Sequence, residues 1–103
     1  MTENKYSRIN SRIAEVWEIV GTYEIWINGL DKKLKIKILK IVSSHDDSPY
    51  MGVANLAVKG KGCADYYVSL HNKSTKEGAL EDAILGFFAF YSDEAEVRVV
   101  EDW

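Results

Sequence analysis

The sequence predicts an α+β fold, a two-layer sandwich in which two helices cover one face of a mainly antiparallel sheet. Residues 75–91 repeat apolar side chains at helical spacing, and residues 22–41 alternate apolar and polar side chains on both sides of an Asn-Gly turn. The links between the predicted strands are short, which favours antiparallel pairing. Residues 1–103 are therefore expected to form a single domain with the element order α-β-β-β-β-α-β.

The first predicted helix covers residues 5–20. Its apolar side chains recur at steps of three and four residues, so they share one helical face, and Gly21 is well placed to end the helix. These side chains are Tyr6, Ile9, Ile13, Val16, Trp17 and Val20. A second interpretation stays open, because residues 14–20 contain "EVWEIV", which also fits a strand.

Residues 22–28 and 34–41 are predicted to pair as a hairpin. In "KKLKIKILKI" (32–41) apolar side chains take one face and lysines the other, so one face of the sheet is expected to stay in water. We predict that Ile27 pairs with Leu34. The lysines would then hold the strand register and discourage edge-to-edge aggregation.

The same register sets Glu24 opposite Lys37 and Trp26 opposite Lys35 on the open face. The first is an ion pair and the second a cation–π contact, and each such cross-strand pair contributes about 0.2–1 kcal/mol. The alternation reverses near Leu39, which predicts a β-bulge or the end of the strand.

The second half of the chain supplies three more strands and a helix. Residues 51–58 and 64–71 are predicted strands joined by the loop "KGKGC", and they follow the turn "SSHDDSPY". Ser74 and Glu77 have the spacing of a capping box, which predicts a helix start. Residues 95–103 alternate again and are expected to form the closing strand.

The helix predicted over residues 75–91 is apolar on more than one side. Its core side is expected to contain Leu80, Ala83, Ile84, Phe87, Phe88 and Tyr91. Leu85 falls on the opposite, acidic side, which indicates that a neighbouring strand or a second subunit covers it.

Composition indicates a folded domain rather than a disordered chain, since 47% of the 103 residues are hydrophobic and 28% are charged. Cys63 is the single cysteine, which excludes an intramolecular disulfide and fits a reducing compartment. The longest apolar run, residues 83–90, is far shorter than the roughly 20 residues that a membrane helix needs. The sequence therefore predicts a cytoplasmic protein without membrane contact.

No motif in the chain specifies a reaction. His45, Cys63 and His71 lack the spacing of a catalytic dyad, and the His and Asp residues lack the spacing of a zinc or EF-hand site. No catalytic residue, metal or cofactor is predicted, and an enzyme with an unfamiliar site at these three residues is the third hypothesis.

The leading hypothesis is a small non-enzymatic binding or regulatory protein that contacts a protein partner or a second copy of itself. The partner surface is predicted at Trp26, Lys35, Lys37 and Tyr67 on the open sheet face, and at Leu85 on the helix. Aromatic side chains beside cations are frequent in such surfaces.

Nucleic-acid engagement is the second hypothesis, because charge is unevenly distributed. Residues 1–40 hold eight basic and five acidic residues, a balance of +3, whereas residues 74–103 hold two basic and eight acidic residues, a balance of −6. The first region would bind nucleic acid directly, and the second would imitate nucleic acid in front of a basic partner.

Overall fold

The computed structural model describes residues 4–103, and within them it contains one α-helix, one short 3-10 helix and six strands. The α+β class and the antiparallel sheet are confirmed. The elements are the 3-10 helix Lys5–Arg8, β1 Trp17–Ile25, β2 Leu34–Ile41, β3 Tyr50–Ala54, β4 Leu56–Lys59, β5 Asn72–Lys73, α1 Lys76–Phe90 and β6 Glu96–Val99.

The prediction of a first α-helix over residues 5–20 is wrong. Only Lys5–Arg8 is helical, as a 3-10 turn, and Trp17–Ile25 forms a nine-residue strand. This stretch is rich in β-branched and aromatic residues, which fit a pleated surface, and β2 offers it a continuous antiparallel partner. The sheet therefore carries one α-helix instead of two, and the predicted element order is wrong with it.

The β1–β2 hairpin has the predicted faces but a different register. Ile25 pairs with Leu34 and Tyr23 with Ile36, a shift of two residues along β2 from the predicted pairing. Because the shift is an even number, core-facing side chains stay on the core side. Trp26 consequently lies in the connecting loop and not opposite a strand residue.

The hairpin contains a β-bulge at the height of Leu39, as predicted, but the extra residue lies in β1 and not in β2. Ile19 pairs with Leu39 and Gly21 pairs with Ile38, which leaves Val20 as the bulged residue. Beyond the bulge, Ile19, Leu39 and Met51 form an apolar row across the face that carries the lysines.

The core lies between α1 and the central strands. Ala79, Ala83 and Phe87 are buried on the inner side of the helix, against Leu34 and Ile38 of β2. The helix contacts β3 most extensively and β2 and β4 less. Four strands form the main sheet in the order β1-β2-β3-β5, and β4 pairs with β6 in a second sheet.

The strand predicted over residues 51–58 divides at Asn55. The side-chain oxygen of Asn55 accepts a hydrogen bond from the Lys35 backbone N–H at 2.7 Å. Its side-chain amide donates to the Lys33 carbonyl at 3.3 Å, and its own carbonyl accepts from the Val100 N–H at 2.8 Å. Asn55 therefore joins the two sheets at the point where the chain passes from one to the other.

Two predictions around the start of α1 are wrong in detail. Residues 64–71 form no strand, since only Tyr67 bridges to Val58, and the short strand β5 follows them. Thr75, not Ser74, caps the helix, and its hydroxyl accepts from the Gly78 N–H at 2.9 Å. Among the described residues, no helix has the length and apolar character needed to cross a membrane.

Candidate interaction surfaces

Trp26 is among the most exposed large side chains of the described chain, with 76% of its surface accessible. Its cation–π partner is Lys33 rather than the predicted Lys35, with the Lys33 Nζ 4.5 Å from the ring centroid. Lys33 also pairs with a Glu24 carboxylate oxygen at 3.4 Å. The loop thus presents an exposed indole next to a lysine that is itself held by an ion pair to β1.

Lys37 has an intramolecular partner that the sequence does not indicate. Its Nζ donates to the Trp103 carbonyl oxygen at 2.8 Å and lies 5.1 Å from the centroid of the Trp103 ring. The Trp103 indole N–H donates to the Val53 carbonyl at 2.6 Å. Trp103 therefore covers part of the open sheet face. The neighbouring Lys35 is half-buried and lies opposite Glu24.

Tyr67 does not lie on the open face of the four-stranded sheet. Its ring packs edge-on against Phe90, with ring centroids 5.0 Å apart, beside the end of α1. The five predicted surface residues consequently fall into two groups. Trp26, Lys35 and Lys37 belong to the β1–β2 hairpin, and Tyr67 and Leu85 lie on and beside the helix.

The outer face of α1, defined here as Glu77, Glu81, Leu85, Phe88 and Ala89, points away from the sheet, and all five residues are exposed. Leu85 is 63% exposed and Phe88 is 44% exposed. Side chains three residues apart on a helix are neighbours, so these two form one apolar area.

Phe88 is a correction to the sequence prediction, which places it in the core. The helix is turned so that its small residues Ala79 and Ala83 face the sheet, and this rotation moves Phe88 outward. Its ring still contacts Phe87 and Tyr91 edge-on, at 5.2 and 5.8 Å between centroids. Phe88 is therefore an aromatic side chain that packs on these two rings and exposes its outer side to solvent.

Ser69, His71 and Asp82 form a compact polar cluster on the side of α1. The Ser69 hydroxyl donates to an Asp82 oxygen at 3.0 Å, and the His71 Nδ1 lies 3.1 Å from the same oxygen. Ser69 Oγ also lies 3.0 Å from His71 Nδ1. In a hydrolase triad the serine and the aspartate contact different ring nitrogens. Here all contacts use Nδ1, so the cluster fastens residues 67–73 to the helix.

The other residues considered for chemistry lie elsewhere. Cys63 lines a shallow cavity with Lys59 and Glu94, and His45 lines a different one with Lys5. Within residues 4–103, no group of three or more His, Cys, Asp or Glu side chains is placed to hold a metal ion.

Comparison with known proteins gives no match: no family model, no curated protein and no solved structure is significantly similar to this chain. Its function must therefore be argued from the residues and their geometry.

Proposed function

We propose that this is a small non-enzymatic binding protein that contacts another protein through the outer face of α1. The observation that carries the proposal is the exposure of Leu85 and Phe88 on a helix whose opposite side already supplies the core. Scattered exposed apolar residues are normal, but adjacent aromatic and aliphatic side chains with a polar border are typical of interfaces.

The surroundings of these two residues support an interface. Glu77 and Glu81 border them on the same face, so charged groups rim an apolar centre. Phe88 loses little conformational freedom on binding, because Phe87 and Tyr91 already hold its ring. A cytoplasmic location, expected from the single cysteine, is part of the same proposal.

Leu85→Glu is expected to abolish capture of the partner by the immobilised protein from native extract, while the melting temperature changes little. Burial of a leucine side chain contributes about 1.5–3 kcal/mol to an interface, and a buried unpaired carboxylate would oppose binding further. Ile19→Glu is the matched control, because Ile19 is 61% exposed but lies on the opposite layer of the fold. Equal capture by the wild type and Leu85→Glu would exclude this face.

Nucleic-acid binding through the β1–β2 hairpin is the second candidate, and the observation that favours it is the free indole of Trp26 beside Lys33. Such a pair can stack on a single-stranded base and neutralise its phosphate. Fluorescence anisotropy with a single-stranded oligonucleotide should then show an affinity that falls steeply with salt and at least roughly tenfold on Trp26→Ala. Absence of binding at low salt would eliminate this candidate.

A further inference from the structure

Residues 5–14, "KYSRINSRIA", have a pattern that the folded chain does not use. They hold three basic residues and no acidic one. Tyr6, Ile9 and Ile13 are spaced three and four residues apart, so on a helix they would form one apolar stripe. Lys5, Arg8 and Arg12 would follow one edge of that stripe.

In the structure these residues form no continuous helix, and Tyr6 and Ile13 are half-buried. Only Lys5–Arg8 is helical, as a single 3-10 turn, and Ile9 is 78% exposed. The Asn4 side-chain amide donates to the carbonyls of Ile13 and Ala14, at 3.0 and 2.9 Å, which holds the segment in a folded-back loop. Ile9 is therefore left largely in water by the described chain.

The outer face of α1 has the complementary pattern. Glu81 lies one turn before the apolar area of Leu85 and Phe88, and Glu77 lies one turn before Glu81. The last turn of α1 contains no basic residue of its own to balance the partial negative charge of the helix end. An antiparallel approach would bring Ile9 to the apolar area, Arg12 to Glu81 and Lys5 to the end of the helix.

Within its own chain the segment lies beside the start of β1 and not on the outer face of α1. Ser43 Oγ accepts from the Val16 N–H at 3.0 Å, and the Val42 N–H donates to the Val16 carbonyl at 2.9 Å, which anchors the segment beside the start of β1. A second copy related by a two-fold axis would make both contacts at once, because each chain offers the segment and the helical face.

We propose that residues 5–14 of one copy dock as a short amphipathic helix on the outer face of α1 in a second copy, and that the reciprocal contact makes a symmetric dimer. This inference rests on the proposed function, since it assigns an occupant to the same helical face. Both apolar areas leave water, and Arg12 of each chain meets Glu81 of the other.

Sedimentation equilibrium of the full chain tests the dimer. Ile9→Glu and Leu85→Glu should each raise the dimer dissociation constant at least roughly tenfold, because each removes an apolar anchor from both halves of the interface. Ile19→Glu, the matched exposed control, should leave it unchanged. Far-ultraviolet circular dichroism should also show more helix at concentrations where the wild-type dimer forms.

A charge exchange provides the sharper test. One chain carries Arg12→Glu, and the other carries Glu81→Arg. Each chain alone places like charges across the interface and should dimerise more weakly than the wild type. A one-to-one mixture places opposite charges across both contacts and should restore dimer formation.

Two results would overturn the inference without touching the proposed function. One is a wild-type chain that stays monomeric at its highest soluble concentration. The other is a dimer that Leu85→Glu dissociates but Ile9→Glu and the charge variants do not, since the helix would then have another occupant. Failure of the proposed function looks different, because Leu85→Glu would alter neither the dimer nor partner capture.

Discussion

Gly52→Ala is expected to lower the free energy of unfolding by about 3 kcal/mol and the melting temperature by roughly 10–20 °C. A Cβ built at this position would lie 2.5 Å from the Ala79 carbonyl oxygen and 3.0 Å from the Ala83 Cβ. The nearest atom belongs to the helix backbone, so no side chain can rotate to relieve the overlap. The whole of α1 must move away from β3, which loosens the core around Phe87. Urea or thermal unfolding monitored by circular dichroism measures this loss.

Gly21→Ala is the matched control for this prediction. Gly21 also lies in a strand, and its added Cβ would lie 2.9 Å from the Lys76 Cε. That atom is near the end of a flexible, partly exposed side chain, which can move at little cost. The control should change the unfolding free energy by less than about 0.5 kcal/mol. If both variants are equally stable, close packing of the helix on Gly52 is not what holds the layers together.

Gly86→Ala is expected to lower the free energy of unfolding by about 1–3 kcal/mol, although alanine has the higher helix propensity by about 1 kcal/mol. The added Cβ would overlap the Ser69 Cβ and lie 2.8 Å from its hydroxyl oxygen. Ser69 is buried and bonded to Asp82, so relief of this clash breaks the cluster that fastens residues 67–73 to the helix.

A double-mutant cycle isolates the cause. In a Ser69→Gly background the clashing atoms are absent, and the Ser69 Cα would lie 3.6 Å from the new Cβ, which is an ordinary contact. Gly86→Ala should therefore be neutral or stabilising in that background, which gives a coupling energy of at least about 1 kcal/mol. Additive losses in the double variant would show that the helix itself, and not contact with Ser69, resists a side chain at residue 86.

This contact matters for the candidate surface as well as for stability. Residues 67–73 lie along the side of α1, where Tyr67 meets Phe90 and the polar cluster holds Asp82. Lys73 adds a weaker ion pair to Asp82 at 3.7 Å. The segment therefore borders the outer face of α1 and defines one edge of the area that a partner would meet.

The amino-acid sequence by itself determined the elements whose pattern is both long and local. The helical repeat before Tyr91 and the alternation of β2 leave one secondary structure that buries their apolar side chains. The same patterns place Leu85 and Trp26 on the polar sides of their elements, and both are exposed in the structure, although Trp26 lies in the connecting loop and not on the strand face as predicted. That these exposed residues bind a partner stays a prediction.

In residues 5–20 the local sequence pattern does not determine the secondary structure. Their apolar side chains satisfy a helix in isolation, yet Trp17–Ile25 becomes a strand because β2 supplies a ladder of backbone hydrogen bonds that a helix would leave unused. The bulge at Val20 then lets β1 pair with β2 on both sides of the extra residue. The helical and extended conformations of a short apolar stretch differ little in free energy, so pairing with a neighbouring strand is enough to select one of them.

The remaining site features depend on contacts between distant parts of the chain. Lys37 and Trp103 are 66 residues apart, and Ser69 and Asp82 are 13 residues apart on different elements. The outward position of Phe88 depends on how closely Ala79 can approach β3. Sequence periodicity describes which side chains share a face, but only packing decides how far that face is rotated and what covers it, because these depend on the volumes and shapes of residues that meet after folding.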